Sequence, residues 1–305
     1  MDTKNNVKAP VFILANPRSF TSLICAMLGQ HPEAYGVPEL NLLVCDTLEA
    51  LMGRFSNIRQ FQQHGLLRTV AHLYSGEQTI MSIDMARRWV LAHLKWSTGE
   101  VYKKLCCQVS PLRIIDKSPA YALDIEVMKR LYRVFPNAYF IHLVRHPRTQ
   151  GLSIMNTGDG FMAVASKSYD YTTDPPTLDP QFAWYATQNR ILKFLSTVPS
   201  EQQMFLRGED LLNDPPIYFE KICQWLGFSW TEAAYEAILN PHESPFACPG
   251  PYGTTMGNDP NFLNSPYFKQ RYVKPSSLEG TLAWRTDGKG FIPEIVELAQ
   301  RLGYN

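Results

Sequence analysis

Residues 11–15 form an unbroken apolar run, and a polar turn separates them from a second apolar stretch, residues 23–28, which closes on Gly29. Short apolar runs bounded by turn residues predict a strand followed by a helix. The alternation returns twice. Residues 112–115 predict a short strand, followed by a helix over 122–135 that Pro136 stops. Residues 139–144 predict a second continuous strand, and Pro147 suits the first turn of the helix after it. Strand and helix in strict alternation imply right-handed crossovers, hence an α/β fold with a central parallel sheet flanked by helices.

The remaining segments hang on this frame. Residues 41–53, 57–73 and 78–96 show apolar positions at helical spacing and little strand signal, which predicts a helical insert spanning 41–108. Residues 169–180, rich in Asp, Pro and Thr, read as a surface connection. Residues 181–197 form a helix with Phe182, Tyr185, Ile191, Phe194 and Leu195 on its apolar face, 204–206 a last short strand, and 217–226 a helix after Asp214-Pro215-Pro216. From 240 to 277 the pattern dissolves into Pro, Gly and Asn with scattered aromatics, too long for a plain connector. Either a lid over the site or a disordered stretch accounts for it. Residues 291–302 close the chain as a helix. The expectation is one domain over 1–305, with 240–283 covering donor and acceptor.

The turn after the first strand carries the chemistry. Asn16-Pro17-Arg18-Ser19-Phe20-Thr21-Ser22 places one Arg and three hydroxyls between a strand and a helix N-terminus, where backbone N–H groups and the helix dipole favour an anion. The phosphate loop of ATP-using enzymes, G-x-x-x-x-G-K-[ST], needs a Lys for the phosphates and a hydroxyl for magnesium. This loop has neither the Lys nor the paired glycines. It reads as an anion cradle built for something other than ATP-driven phosphoryl transfer, with no metal expected.

Composition narrows the partners. The chain has 305 residues, 45% of them hydrophobic and 19% charged, with a net charge of +1, the profile of a globular protein with neither nucleic acid nor a membrane surface as its main partner. Nothing in residues 1–6 resembles a signal peptide, and no apolar run approaches the roughly eighteen residues of a membrane span, so a cytoplasmic location is expected. Six cysteines lie scattered without ligand spacing, which reads as free thiols rather than a disulfide framework or zinc site.

Arg18, Lys117 and Arg145 each follow an apolar strand, and ligands of open α/β sheets bind outside the carboxyl ends of the strands. Three cations at equivalent ends, with Ser19, Thr21, Ser22 and Ser153 nearby, suit a multiply phosphorylated ligand better than three solvated loop charges. The segment Pro17-Arg18-Ser19-Phe20-Thr21-Ser22-Leu23, followed by Gln30-His31-Pro32-Glu33 and Pro38-Glu39-Leu40, resembles the 5′-phosphosulfate loop of sulfotransferases that use 3′-phosphoadenosine 5′-phosphosulfate (PAPS). Leu143-Val144-Arg145-His146-Pro147-Arg148, with Ser153 eight residues after Arg145, resembles their 3′-phosphate motif. The similarity is closest to the branch holding tyrosylprotein sulfotransferases and the sulfotransferase modules of bacterial polyketide assembly lines, and it extends to Lys274-Pro275-Ser276-Ser277-Leu278-Glu279-Gly280.

The resemblance implies a P-loop-NTPase-like sulfotransferase fold and roles for single residues. Arg18, Ser19, Phe20, Thr21 and Ser22 would hold the 5′-phosphate and sulfuryl group, and Arg145 and Ser153 the 3′-phosphate. Lys274 would contact the donor from a closing loop. Glu39 stands where related enzymes place a general base, and Lys117 where they place a lysine that stabilises the bridging oxygen. A solvated loop carboxylate for Glu39, and an ion pair with Asp116 or Glu39 for Lys117, are the plainer readings. His142 reads as a core histidine and His31 as the end of the first helix; His242, in the irregular segment, is a further catalytic candidate facing the acceptor. Two positions depart from the family pattern: Phe20 replaces a usual Gly, and Gly208 a usual Tyr beside the adenine.

The expected reaction is sulfuryl transfer from PAPS, leaving 3′,5′-ADP, to a hydroxyl of a small or carrier-bound acceptor. Aromatics and Met in residues 41–108 and 242–272 suit an apolar or acyl-type molecule. Sulfation of a tyrosine or carbohydrate hydroxyl is the alternative; a P-loop nucleotide kinase or a non-catalytic nucleotide-binding module are rivals of different class. The sequence leaves the oligomeric state open.

Overall fold

Five parallel strands make the sheet of the computed structural model, which describes residues 7–157, 160–270 and 272–305. They are β1 (Val11–Leu14), β2 (Ala34–Gly36), β3 (Arg113–Asp116), β4 (Tyr139–Val144) and, beyond a small antiparallel hairpin of β5 (Tyr169–Asp170) and β6 (Thr177–Leu178), β7 (Gln203–Arg207). Their spatial order is β2-β3-β1-β4-β7. β1 thus lies between β3 and β4, with Val11 registered on both Ile115 and Tyr139, and the winding reverses beside it. At such a switch point the loops diverge and leave a crevice at the carboxyl ends of the strands.

The apolar strands are continuous because both faces of the sheet are covered. Successive side chains point to opposite sides. Phe12, Leu14, Ile114 and Phe140 enter one core, packed by the helical insert, whereas Val11, Ile13, Ile115, Ile141 and Leu143 enter the other. On the first face Phe12 makes edge or stacked contacts with Tyr102, Tyr121 and Phe140.

The helices are α1 (Thr21–Gly29), α2 (Leu48–Arg54), α3 (His64–Ser75), α4 (Ile80–Ala92), α5 (Thr98–Val109), α6 (Ile125–Val134) and α7 (Pro147–Met155). They continue as α8 (Phe161–Ala165), α9 (Pro180–Leu195), α10 (Gly208–Asn213), α11 (Pro215–Leu226), α12 (Glu232–Ile238), α13 (Pro260–Asn264) and α14 (Pro293–Arg301). Prolines open α7, α9, α11, α13 and α14 at positions where their missing N–H costs nothing. Ser97 and Glu100 form a capping box at α5.

Several boundaries differ from the sequence reading, each for a local reason. The stretch 41–53 divides into a 3₁₀ turn, Leu42–Val44, and α2, because extended Cys45 interrupts it and Thr47 caps a new start. The helix expected over 122–135 begins later, where the side chain of Asp124 caps α6 after a 3₁₀ turn at Pro119–Leu123. Residues 169–180 are more than a surface connection: they hold β5, β6 and the buried carboxylates Asp170 and Asp179, both paired with Arg285. Strand β2 had no counterpart in the reading; three residues including Gly36 leave no alternation to detect. Among the described residues no helix is long and apolar enough to cross a membrane, and the six cysteines are free.

Candidate active site

The loop between β1 and α1 folds into an unusual backbone. Arg18 and Phe20 both adopt left-handed φ, 67° and 62°. For a side chain bearing a Cβ this costs about 1–2 kcal/mol, so surrounding contacts must hold it. Below the loop, Asn16 Oδ1 accepts from Gln188 Nε2 at 2.7 Å, and Gln188 Oε1 lies 2.6 Å from His142 Nε2. The carbonyl of Pro17 accepts from Gln150 Nε2 at 2.9 Å. His142 is a core histidine, as expected, and burial pushes its pKa down to about 4. A neutral, buried relay therefore supports the loop from strand β4 and helix α9.

Arg18 and Arg145 meet here. Arg145 donates to the Arg18 carbonyl at 2.8 Å, and Arg18 Nε donates to Ser153 Oγ at 3.0 Å, which joins three of the predicted phosphate contacts in one chain of bonds. The ring of Phe20 lies 4.3 Å from the Arg145 guanidinium, a cation–π contact. Burial pushes the Arg145 pKa down to about 10, with neighbouring Arg18 adding to the fall and Glu209 opposing it. The Arg145 guanidinium stays charged at neutral pH, and with Arg18 beside it the loop makes a demand for an anion. Glu209 does not meet that demand by itself, since its carboxylate also accepts from the His146 N–H and the Tyr304 hydroxyl.

The hydroxyls divide. Ser19 is fully buried and its Oγ has no partner among the described residues, an orphan that a phosphate or sulfuryl oxygen would satisfy. Ser22 Oγ accepts the N–H of Asp259, and Thr21 is buried beside it in the chain.

At the end of β3, Lys117 Nζ stands 2.8 Å from Glu39 Oε1; the lysine side chain is 0% exposed and the glutamate 31%. The two predicted catalytic residues meet, and the ion pair weighed as the plainer reading of Lys117 is the form their meeting takes. Asp116, one residue before, accepts from Tyr102, Tyr121 and Ser118, and burial raises its pKa to about 6. Ser118 Oγ and Tyr121 OH in turn accept the N–H groups of Asn41 and Leu42, fastening the chain just after Glu39 to the strand end.

Two predicted residues stand apart. His242 is exposed, with its ring 4.6 Å from that of Tyr267, and among the described residues nothing ties it to Glu39 or Lys117. Lys274 is likewise exposed. The stretch after it is held by Arg148, which donates to the carbonyls of Ser277, Glu279 and Thr281 at 2.6 to 2.9 Å. Trp284 donates to Asp179 at 2.9 Å and Arg285 pairs with Asp170 and Asp179, which anchors this loop to the β5–β6 region.

The sequence reading missed Asp259, Gly65 and Gly257. Asp259 pairs with Arg18, and the N–H of Glu39 donates to Gly257 at 2.7 Å. Asp259-Pro260 carries the signal of a capped helix start, but nothing in the sequence ties it to a loop 241 residues earlier.

The Arg18 and Arg145 guanidinia and the Glu39–Lys117 couple thus lie beyond the carboxyl ends of β1, β3 and β4. Residues 10–232 match the family model described as "Sulfotransferase family", and the chain belongs to that family as a sulfotransferase enzyme. A solved structure similar over the whole chain is the sulfotransferase domain from the curacin biosynthetic pathway, at 22% identity and a TM-score of 0.73, covering 97% of this chain and 98% of that one. The sulfotransferase domain from the Synechococcus PCC 7002 olefin synthase matches at 25% identity and 0.72, covering 98% and 95%. Sulfotransferase STF9 from Mycobacterium avium matches at 14% and 0.52, covering 98% and 78%, and supports the fold alone. No curated protein matches the chain by sequence.

Proposed function

We propose that this chain, as a single sulfotransferase domain, transfers a sulfuryl group from PAPS to a hydroxyl of a small or carrier-bound acceptor of apolar or acyl type, in the cytoplasm and without a metal. The observation that carries the reading is the 2.8 Å contact between Lys117 and Glu39 at the end of β3. When bound, PAPS supplies the sulfuryl group and leaves as 3′,5′-ADP. The orphaned Ser19 hydroxyl and the adjacent Arg18 and Arg145 guanidinia fit a donor with two anionic ends, and Ser153 completes the contact to the 3′-phosphate. Lys274 closes over the donor from the loop that Arg148 fastens.

Glu39 accepts the proton of the acceptor hydroxyl as the new O–S bond forms. Lys117 holds that carboxylate in one orientation until the acceptor arrives and donates to the bridging oxygen, where the electron pair of the breaking S–O bond collects. His242, exposed beside Tyr267, contributes from the acceptor side. The similarity to sulfotransferase domains from the curacin biosynthetic pathway and an olefin synthase supports an acyl-type acceptor.

Labelled PAPS offered with alcohols, phenols and carrier-bound hydroxyacyl groups tests the reading. Label should pass to a carrier-bound or free aliphatic hydroxyl. Equal thermal stabilisation by 3′,5′-ADP and 5′-AMP would remove the Arg145 and Ser153 assignment, and transfer of phosphate from ATP would overturn the reaction.

A further inference from the structure

The cationic loop already holds an anion, and that anion belongs to the protein. The carboxylate of Asp259 forms an ion pair with Arg18, whose side chain is 9% exposed, while its backbone N–H donates to Ser22 Oγ at 3.1 Å. Two residues earlier, the Gly257 carbonyl accepts the N–H of Glu39 at 2.7 Å. One short segment thus spans the site, with one end on the donor loop and the other on the residue that takes the acceptor's proton. Neighbouring side chains hold it in register: Asn258 donates to the Phe246 carbonyl at 3.0 Å, and buried Arg68 donates to the carbonyls of Cys248 and Met256 at 2.7 and 3.1 Å.

We propose that Asp259 is a positioning residue that competes with the donor: its carboxylate occupies the place on Arg18 that an anionic group of the nucleotide takes, and donor binding displaces it. This rests on the reading of the loop as a donor site. A carboxylate and a phosphate or sulfate oxygen make the same charge-assisted bond to a guanidinium, so the two are exclusive on one N–H edge. Displacement also loosens the segment that restrains Glu39 through Gly257, which couples donor binding to the acceptor side of the crevice. By reciprocity, whatever holds Gly257–Asp259 in place weakens the donor.

Asp259→Asn tests this with the full chain. Asn keeps the cap that Asp259 gives α13 through the Asn261 N–H and removes the charge; Asp259→Ser, also a capping residue, is the second variant. If the internal carboxylate holds the site about nine-tenths of the time, removing it tightens 3′,5′-ADP about tenfold by calorimetry, because apparent affinity scales with the open fraction. Uncharged adenosine should bind wild type and variants equally. Unchanged or weaker 3′,5′-ADP binding in both variants overturns the proposal, as does an equal gain for adenosine, which marks general loosening. Failure of wild type and variants alike to bind 3′,5′-ADP would instead overturn the donor-site reading, and the competition with it.

Discussion

The ring of Phe20 occupies the space that any side chain at Gly208 would need: a methyl group added there would lie 2.6 Å from Phe20 Cδ2. The two departures from the family pattern, one in the phosphate loop and one at the start of α10, are a single exchange of volume. Phe20 stands where a glycine would adopt the 62° φ without cost, and its ring packs against both Gly208 and the Arg145 guanidinium. Gly208→Ala is therefore expected to destabilise the protein by about 1–3 kcal/mol through overpacking. In a Phe20→Gly background the same alanine, at the first position of a helix, should be neutral or stabilising. Urea unfolding of the four proteins of this cycle gives the coupling; additive effects would separate the two positions.

The proposed role of Glu39 as base separates it from donor binding. Glu39→Gln is expected to lower sulfation by about 10²–10⁴-fold, the usual contribution of a positioned general base. Glutamine still offers Lys117 an acceptor oxygen, so 3′,5′-ADP affinity should stay within about twofold. A parallel loss of nucleotide affinity would make Glu39 a structural partner of Lys117 alone.

Ser153 accepts from Arg18 Nε and lies at the end of the bond chain that starts at Arg145. Hydrogen bonds to charged groups are worth about 1.5–3 kcal/mol, so Ser153→Ala should cut the preference for 3′,5′-ADP over 5′-AMP by about tenfold or more. The ratio of the two dissociation constants reads this directly. An unchanged ratio would remove the 3′-phosphate from Ser153.

Acid should weaken the fold. Burial pushes the pKa of His64, His142 and His146 to about 4, below the unfolded value of about 6.5. The unfolded chain then binds protons that the folded chain refuses, so the stability these groups contribute is complete above pH 6.5 and is lost as pH falls toward 4. Asp116 acts in the opposite sense: its pKa is raised to about 6, so folding favours its protonation over part of the same range. Three histidines outweigh one carboxyl, and the urea midpoint should fall between pH 7 and pH 4.5. His142→Gln should flatten that fall by about one proton, or about 1.4 kcal/mol per pH unit. An unchanged slope would mean that His142 titrates normally.

How much of this was legible in the sequence depended on range. Arg18, Lys117 and Arg145 could be placed because each follows an apolar strand, and parallel strands bring their carboxyl ends to one edge. Glu39 follows no such rule. It entered on resemblance, and what puts it beside Lys117 is β2 pairing with β3, a strand too short to announce itself. The departures at Phe20 and Gly208 were each visible as residues, but their compensation is a contact between positions nearly two hundred residues apart. Asp259 lay in a stretch whose Pro, Gly and Asn content hides any period, and its cap geometry points only to its own helix. Local propensity gave the elements; the long-range pairings that complete the site leave no trace in it.

Gly65 shows what such a pairing demands. It opens α3 in the second position, where alanine is ordinarily the better residue, yet a methyl group there would lie 2.0 Å from the Glu39 carbonyl oxygen and 3.2 Å from its nitrogen. Gly257, at a φ of 114°, packs against Gly65 itself, where an added carbon would come within 3.1 Å of the Gly65 Cα. Glu39 is thus seated by two bare backbones and a single N–H bond to Gly257, with backbone rather than flexible side chains as the obstacle, so relief requires the Glu39 segment itself to move. Gly65→Ala should destabilise the protein by about 1–3 kcal/mol as an overpacking change. It should also lower kcat by roughly 10²-fold, since a displacement of about 1 Å at a reacting group costs that much. The Arg18, Arg145 and Ser153 contacts lie in other loops and in α7, so a change in 3′,5′-ADP affinity should arise only through the Gly257–Asp259 segment that packs on Gly65. Loss of stability without loss of kcat in the folded fraction would show that Glu39 is not held at the reacting position by this contact.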